Sequence, residues 1–130
     1  GESVTDEEVT IIDDPSVLYL VNDDGGIIAY GEPVYINGDG TVSVAQSDGT
    51  LEESSVIAVC IETTLIDGAT GRFRVFGKIE RAGTPGAMGY LSATGTITET
   101  APISGYLVPI GRQVSTTEFF VTTVQAPVEL

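Results

Sequence analysis

The sequence predicts an all-β domain, a compact antiparallel β-sandwich or β-barrel of short strands. Three observations carry that expectation. Val, Ile and Thr outnumber Leu and Ala, and branched Cβ atoms are stiff in helices but pack well on a pleated surface. Sixteen glycines are spread along the 130 residues, and turn signals recur about every ten residues, as many short strands require. Several runs alternate apolar and polar residues with the period of two that marks a half-buried strand.

The elements follow in order. Residues 1–8 are polar and acidic with nothing to bury, and are read as a flexible acidic arm ahead of a single β domain over 9–130. Strand runs fall near 9–12, 17–21, 27–30, 33–36, 41–45, 55–63, 71–80, 88–91, 95–99, 106–111 and 118–124. Between them lie Asn22-Asp23-Asp24-Gly25-Gly26, Asn37-Gly38-Asp39-Gly40, Ser47-Asp48-Gly49, Asp67-Gly68 and Thr84-Pro85-Gly86, whose residues favour tight turns. In Thr41-Val42-Ser43-Val44-Ala45 the valines face one side and the hydroxyls the other. In Arg72-Phe73-Arg74-Val75-Phe76 the alternation sets Phe73 and Val75 against Arg72, Arg74 and Phe76. The run Val56–Ile61 is apolar on both faces and reads as a central strand. Residues 49–55 form at most one helical turn, and a chain of this size is one domain with one core.

Composition also bounds function. No stretch approaches the roughly 20 apolar residues of a membrane helix, and the acidic start is unlike a signal or transit peptide. The lone Cys60 lies in an apolar run and is expected to be a small core residue with no internal disulfide, as in a soluble protein made in the cytoplasm. Residues 1–71 hold fifteen carboxylates and no Lys or Arg, while residues 72–130 hold five cations and four glutamates. The halves therefore carry −15 and +1, and together the net −14. Such a field repels free nucleic acid and anionic membranes, so neither is an expected partner. It either favours a partner with a basic face or serves solubility alone.

The parts for catalysis are missing. Histidine is absent, and with it the commonest general base and metal ligand. Zinc sites and Cys- or Ser-His catalysis lack their components. Asp13-Asp14, Asp23-Asp24 and Glu52-Glu53 are carboxylate pairs, but strand neighbours point to opposite faces and turn residues are solvated, so glycoside hydrolysis is not expected. Asn37-Gly38-Asp39-Gly40-Thr41 resembles the opening of a calcium loop without its remaining ligands or flanking helices, and a hairpin turn explains the same residues. Thr84–Gly89 lacks the Lys of a phosphate loop. The expectation is no enzyme, no cofactor and no metal.

The candidate site is an interface. Arg72, Arg74, Lys78 and Arg81 cluster in one run. They either pair with the acidic first half or meet carboxylates of a neighbouring subunit, where arginine forks bind bidentately. Phe119-Phe120 places one ring on each face of its strand, so one is expected inside and the other available to a neighbour.

A family resemblance enters on ordered pieces. Gly31-Glu32-Pro33-Val34-Tyr35-Ile36 is followed by Gly40-Thr41-Val42-Ser43-Val44-Ala45, Val56-Ile57-Ala58-Val59 and Asp67-Gly68-Ala69-Thr70-Gly71. Then come Gly86-Ala87-Met88-Gly89-Tyr90-Leu91-Ser92-Ala93, Gly95-Thr96-Ile97-Thr98-Glu99-Thr100-Ala101-Pro102, Val108-Pro109-Ile110-Gly111 and Thr116-Thr117-Glu118-Phe119-Phe120-Val121. Together these pieces resemble the capsid decoration, or cement, proteins of tailed bacteriophages. The resemblance implies a non-enzymatic virion structural protein on the capsid exterior, a homotrimer whose partner is the major capsid protein. Related modules in tails and fibres give the alternative of an adaptor or host-surface recognition role.

Overall fold

The computed structural model describes residues 14–123 and 126–130. The strand expected near 9–12 and the arm at 1–8 lie outside the described residues. The described chain is almost entirely β. It runs through β1 (Val17–Asn22), β2 (Ile28–Ala29), β3 (Pro33–Gly38), β4 (Thr41–Val44), α1 (Leu51–Ser54) and β5 (Ala58–Cys60). There follow β6 (Thr64–Leu65), β7 (Thr70–Arg74), β8 (Phe76–Glu80), β9 (Met88–Leu91) and β10 (Ile97–Thr98). The last four are β11 (Tyr106–Leu107), β12 (Pro109–Gln113), β13 (Glu118–Thr122) and β14 (Val128–Glu129).

The expected all-β fold takes the form of a closed barrel and an open sheet. Strands β1-β4-β3-β5-β7 close into a barrel, because β1 pairs in parallel with β4 and antiparallel with β7. A second, open sheet has the order β10-β9-β12-β13-β8, and two short ribbons, β11–β14 and β2–β6, flank them. The single helical turn α1 is stabilised at its start by reciprocal capping. Thr50 Oγ1 accepts from Glu53 N at 3.2 Å and Glu53 Oε1 accepts from Thr50 N at 2.9 Å.

The core forms two clusters rather than one. Leu20, Ile28, Val34, Val42, Ala58, Cys60, Leu65 and Phe73 fill the barrel. Val56, Val59, Ile79, Leu91, Ile110, Phe119 and Val121, among others, pack the second cluster. Strand β5 belongs to both: alternation sends Ala58 and Cys60 into the first cluster and Val59 into the second. That explains a run apolar on both faces, and β5 is central, between β3 and β7.

Three expected strands are corrected. The run 106–111 is broken at Val108 into β11 and β12, which lie in different sheets. The run 71–80 is not one strand but two, β7 in the barrel and β8 in the second sheet, broken at Val75. Val75 N donates to Ser16 O at 2.8 Å, while its carbonyl accepts from Thr123 Oγ1 at 2.8 Å. The strand breaks there as the chain passes from the barrel to the second sheet, and Gly77 takes φ 120°, a backbone angle that side chains with a Cβ rarely adopt. The run 55–63 shortens to β5, because Val56 N bonds back to Ser54 O behind α1 and, past Cys60, the pairing with β7 ends on the bond from Ile61 N to Arg72 O at 3.1 Å.

The candidate interaction surface

Strand β13 sets up the surface. Its alternation sends Phe119 and Val121 inward, fully buried, and leaves Glu118, Phe120 and Thr122 on the outer face. Glycine at position 89 makes this possible, since a Cβ there would land on the Phe119 ring and on Ile97. The register then aligns Lys78 of β8, Phe120 of β13, Arg112 of β12 and Met88 of β9 in one row across four strands. Beside Phe120, the ring of Phe76 stands 5.0 Å away between centroids at 82°, an edge-to-face pair. Phe76 is 52% exposed and Val114 53%, so this face is open to solvent.

A groove of 660 Å³ runs along the row, lined by Met88, Gly111, Arg112, Val114 and Phe120 among others. Arg112 Nη1 donates to Gly86 O at 2.7 Å. Gly86 is itself held by its N–H to Gln113 O at 2.7 Å and by the turn that Ala87 N closes on Thr84 O. Lys78 Nζ lies 3.7 Å from Glu118 Oε2, with both side chains largely exposed.

The six residues singled out from the sequence divide three ways. Lys78 and Phe120 share the open face. Arg72 and Arg74 sit on the barrel, on β7. Arg72 grips Glu62 as a fork, with Nε–Oε2 at 3.0 Å, Nη2–Oε1 at 3.3 Å and backbone N–Oε2 at 2.9 Å. Those bonds hold the Glu62 carboxyl below the usual range and raise the guanidinium. Arg74 bonds Ser16 Oγ at 2.9 Å and lies 3.9 Å from Asp14, while its buried Nε has no acceptor among the described residues.

Phe119 is fully buried, and Arg81 lies half-buried over it. Arg81 bonds Gln113 Oε1 at 2.9 Å and Ile97 O at 3.1 Å, and lies 3.7 Å from Glu99. Its guanidinium stands 5.6 Å over the Phe119 ring. The four cations of the run are therefore paired within the chain and do not form one surface. Phe119 and Phe120 divide as expected, one inside and one outside.

Arg112, Met88 and Phe76 complete the face but were not singled out in sequence. Alternation over 72–76 sets Phe76 on the arginine side of a single strand, and only the break at Val75 moves it to the second sheet. For Arg112 and Met88 the signal is their place in short alternating runs, which does not say that the two runs adjoin.

The other sequence candidates resolve simply. Asn37–Thr41 joins β3 to β4 as a turn in which Thr41 Oγ1 donates to Asn37 Oδ1 at 2.6 Å and Asn37 Nδ2 donates to Ser43 Oγ. Asp24 accepts from Val44 N at 3.0 Å, and Glu53 is committed to its cap. Among the described residues no group of three or more Asp, Glu, Cys or His is placed to hold a metal. The chain matches no family model and no curated protein.

Proposed function

We propose that the chain is a non-enzymatic virion structural protein, a capsid decoration protein that binds the major capsid protein on the outside of a tailed-phage head and reinforces the shell. The observation that carries this reading is the outer face of the second sheet. In a chain of net charge −14, that face sets Lys78 and Arg112 against Glu80 and Glu118 and presents Phe76, Phe120 and Met88 between them. An exposed apolar patch rimmed by balanced charge suits docking on protein. A clamp on neighbouring shell subunits stabilises the assembled state by mass action and needs no reaction chemistry.

The protomers are read as trimers, the arrangement that the sequence resemblance implies. Strand β8 supports association, since it is an edge strand paired only with β13 among the described residues.

Electron cryomicroscopy of intact particles tests the reading. The expected result is a shell-wide lattice of copies with the second sheet turned toward the capsid. A few copies confined to one vertex would transfer the protein to the tail, as an adaptor or host-recognition module. Absence from the particle would reject both.

A further inference from the structure

We propose that Arg112 anchors a specific contact within this face: its groove takes a carboxylate set beside an apolar side chain, a Glu or Asp next to a Leu-sized residue on the partner protein. The inference rests on the reading that the second sheet docks a protein.

Charge pairing carries it. Nineteen carboxylates face five cations in this chain, so every cation has ready partners. Arg72, Arg74, Lys78 and Arg81 each have a carboxylate within 4.0 Å. Among the described residues none lies that close to Arg112. One of its five N–H groups is bonded to Gly86 O, which fixes the head and leaves the rest of the fork for an outside acceptor.

The surroundings give the other half of the ligand. Phe120 and Met88 flank Arg112 across the strands, and Val114 completes the wall. At 660 Å³ the groove has room for two neighbouring side chains, within the roughly 300–1,000 Å³ usual for a ligand site. A partner that covers the apolar side chains beside Arg112 would shut water out from that side of the guanidinium, and that would strengthen a bidentate carboxylate contact over one in free solvent. The net −14 disfavours a partner that is acidic throughout. The fitting partner therefore carries an isolated carboxylate on a neutral or basic surface.

Two experiments on the full chain test this. In the first, ¹⁵N-labelled protein is titrated with acetyl-Leu-Glu-Leu-amide and, separately, with acetyl-Leu-Gln-Leu-amide. The Glu peptide should shift the Met88, Arg112 and Phe120 resonances and the Arg112 Nε–H, while the Gln peptide should bind several times more weakly. The difference should vanish in Arg112→Gln. Equal shifts with both peptides, or none with either, overturn the proposal.

In the second, Arg112→Gln and Arg112→Lys are titrated onto expanded shells stripped of decoration, after their melting curves show that they fold. Loss of the fork should weaken Arg112→Gln by about tenfold or more, with Arg112→Lys between it and the original chain. If Arg112→Gln binds shells as tightly as the original chain, the anchor is rejected while the docking reading stands. If no version binds shells, the docking reading fails and the peptide titration alone decides the groove.

Discussion

Phe119 and Phe120 are adjacent in sequence and opposite in environment: Phe119 is 0% exposed beneath the Arg81 guanidinium, and Phe120 meets the ring of Phe76 on the outer face. One peptide step thus separates a core residue from a candidate contact residue. The two substitutions should part accordingly. Phe119→Ala should cost about 3–5 kcal/mol of stability, the range for a large buried ring. Phe120→Ala should cost clearly less and retain the fold. Chemical denaturation of both variants checks this, and equal losses would contradict the division of the strand.

The Gln113–Arg81 pair gives a second prediction. Gln113 is 1% exposed, accepts from Arg81 Nη1, and donates its amide to the carbonyls of Arg81 and Ser115. Gln113→Leu keeps the bulk but leaves those partners unsatisfied. A loss of about 1–3 kcal/mol is expected, more than for an exposed polar residue. A melting temperature unchanged by Gln113→Leu would show that water replaces the amide without cost.

Cys60 should behave as a core residue. It is 0% exposed in the barrel, and burial pushes its thiol up, away from the reactive thiolate. Labelling by a thiol reagent should be slow in buffer and rapid in denaturant. Fast labelling of the folded chain would contradict the closed barrel.

The acid side of the stability curve is set in part by Glu62, whose bonds to Arg72 hold its carboxyl below the usual range. A depressed folded value means that the stabilisation is complete above the ordinary carboxylate range, about pH 4–5, and fades as pH falls through the folded value. Glu62→Gln should therefore be less stable than the original chain at pH 7, and the difference should close below pH 4. The pair is exposed, so the effect is small. Urea titrations of both proteins from pH 7 to pH 3 check the sign, and a gap that widens on acidification would contradict it.

Much of this architecture can be read from local pattern, and the limits are physical. Alternation over Glu118–Thr122 gives the strand and sets its two rings on opposite faces, while which ring is inside follows only from the packing. The turns at Asn37–Gly40 and Pro85-Gly86 follow from residue types that suit tight reversals. Alternation says nothing about which sheet a strand joins, and so 71–80 reads as one strand although the chain changes sheets at Val75. Of the ribbon strands, β2 and β11 fall within the expected runs 27–30 and 106–111, whereas β6 and β14 have two residues each, too few for any period to register. The candidate face is less legible still. Lys78, Phe120, Arg112 and Met88 align through pairing of distant segments, and no local spacing encodes that register.

We propose that the outer face of the second sheet docks this chain onto a phage shell. The most direct test is a titration of the purified original chain and of Phe120→Asp onto bare expanded shells, at 0.1 M and at 1 M salt. The account predicts saturable binding by the original chain that weakens gradually with salt, as screening shortens from about 10 Å to about 3 Å while apolar contact persists. Phe120→Asp, folded but carrying a charge at the centre of the face, should bind at least tenfold more weakly. Shells that bind neither protein, or both equally, would contradict it.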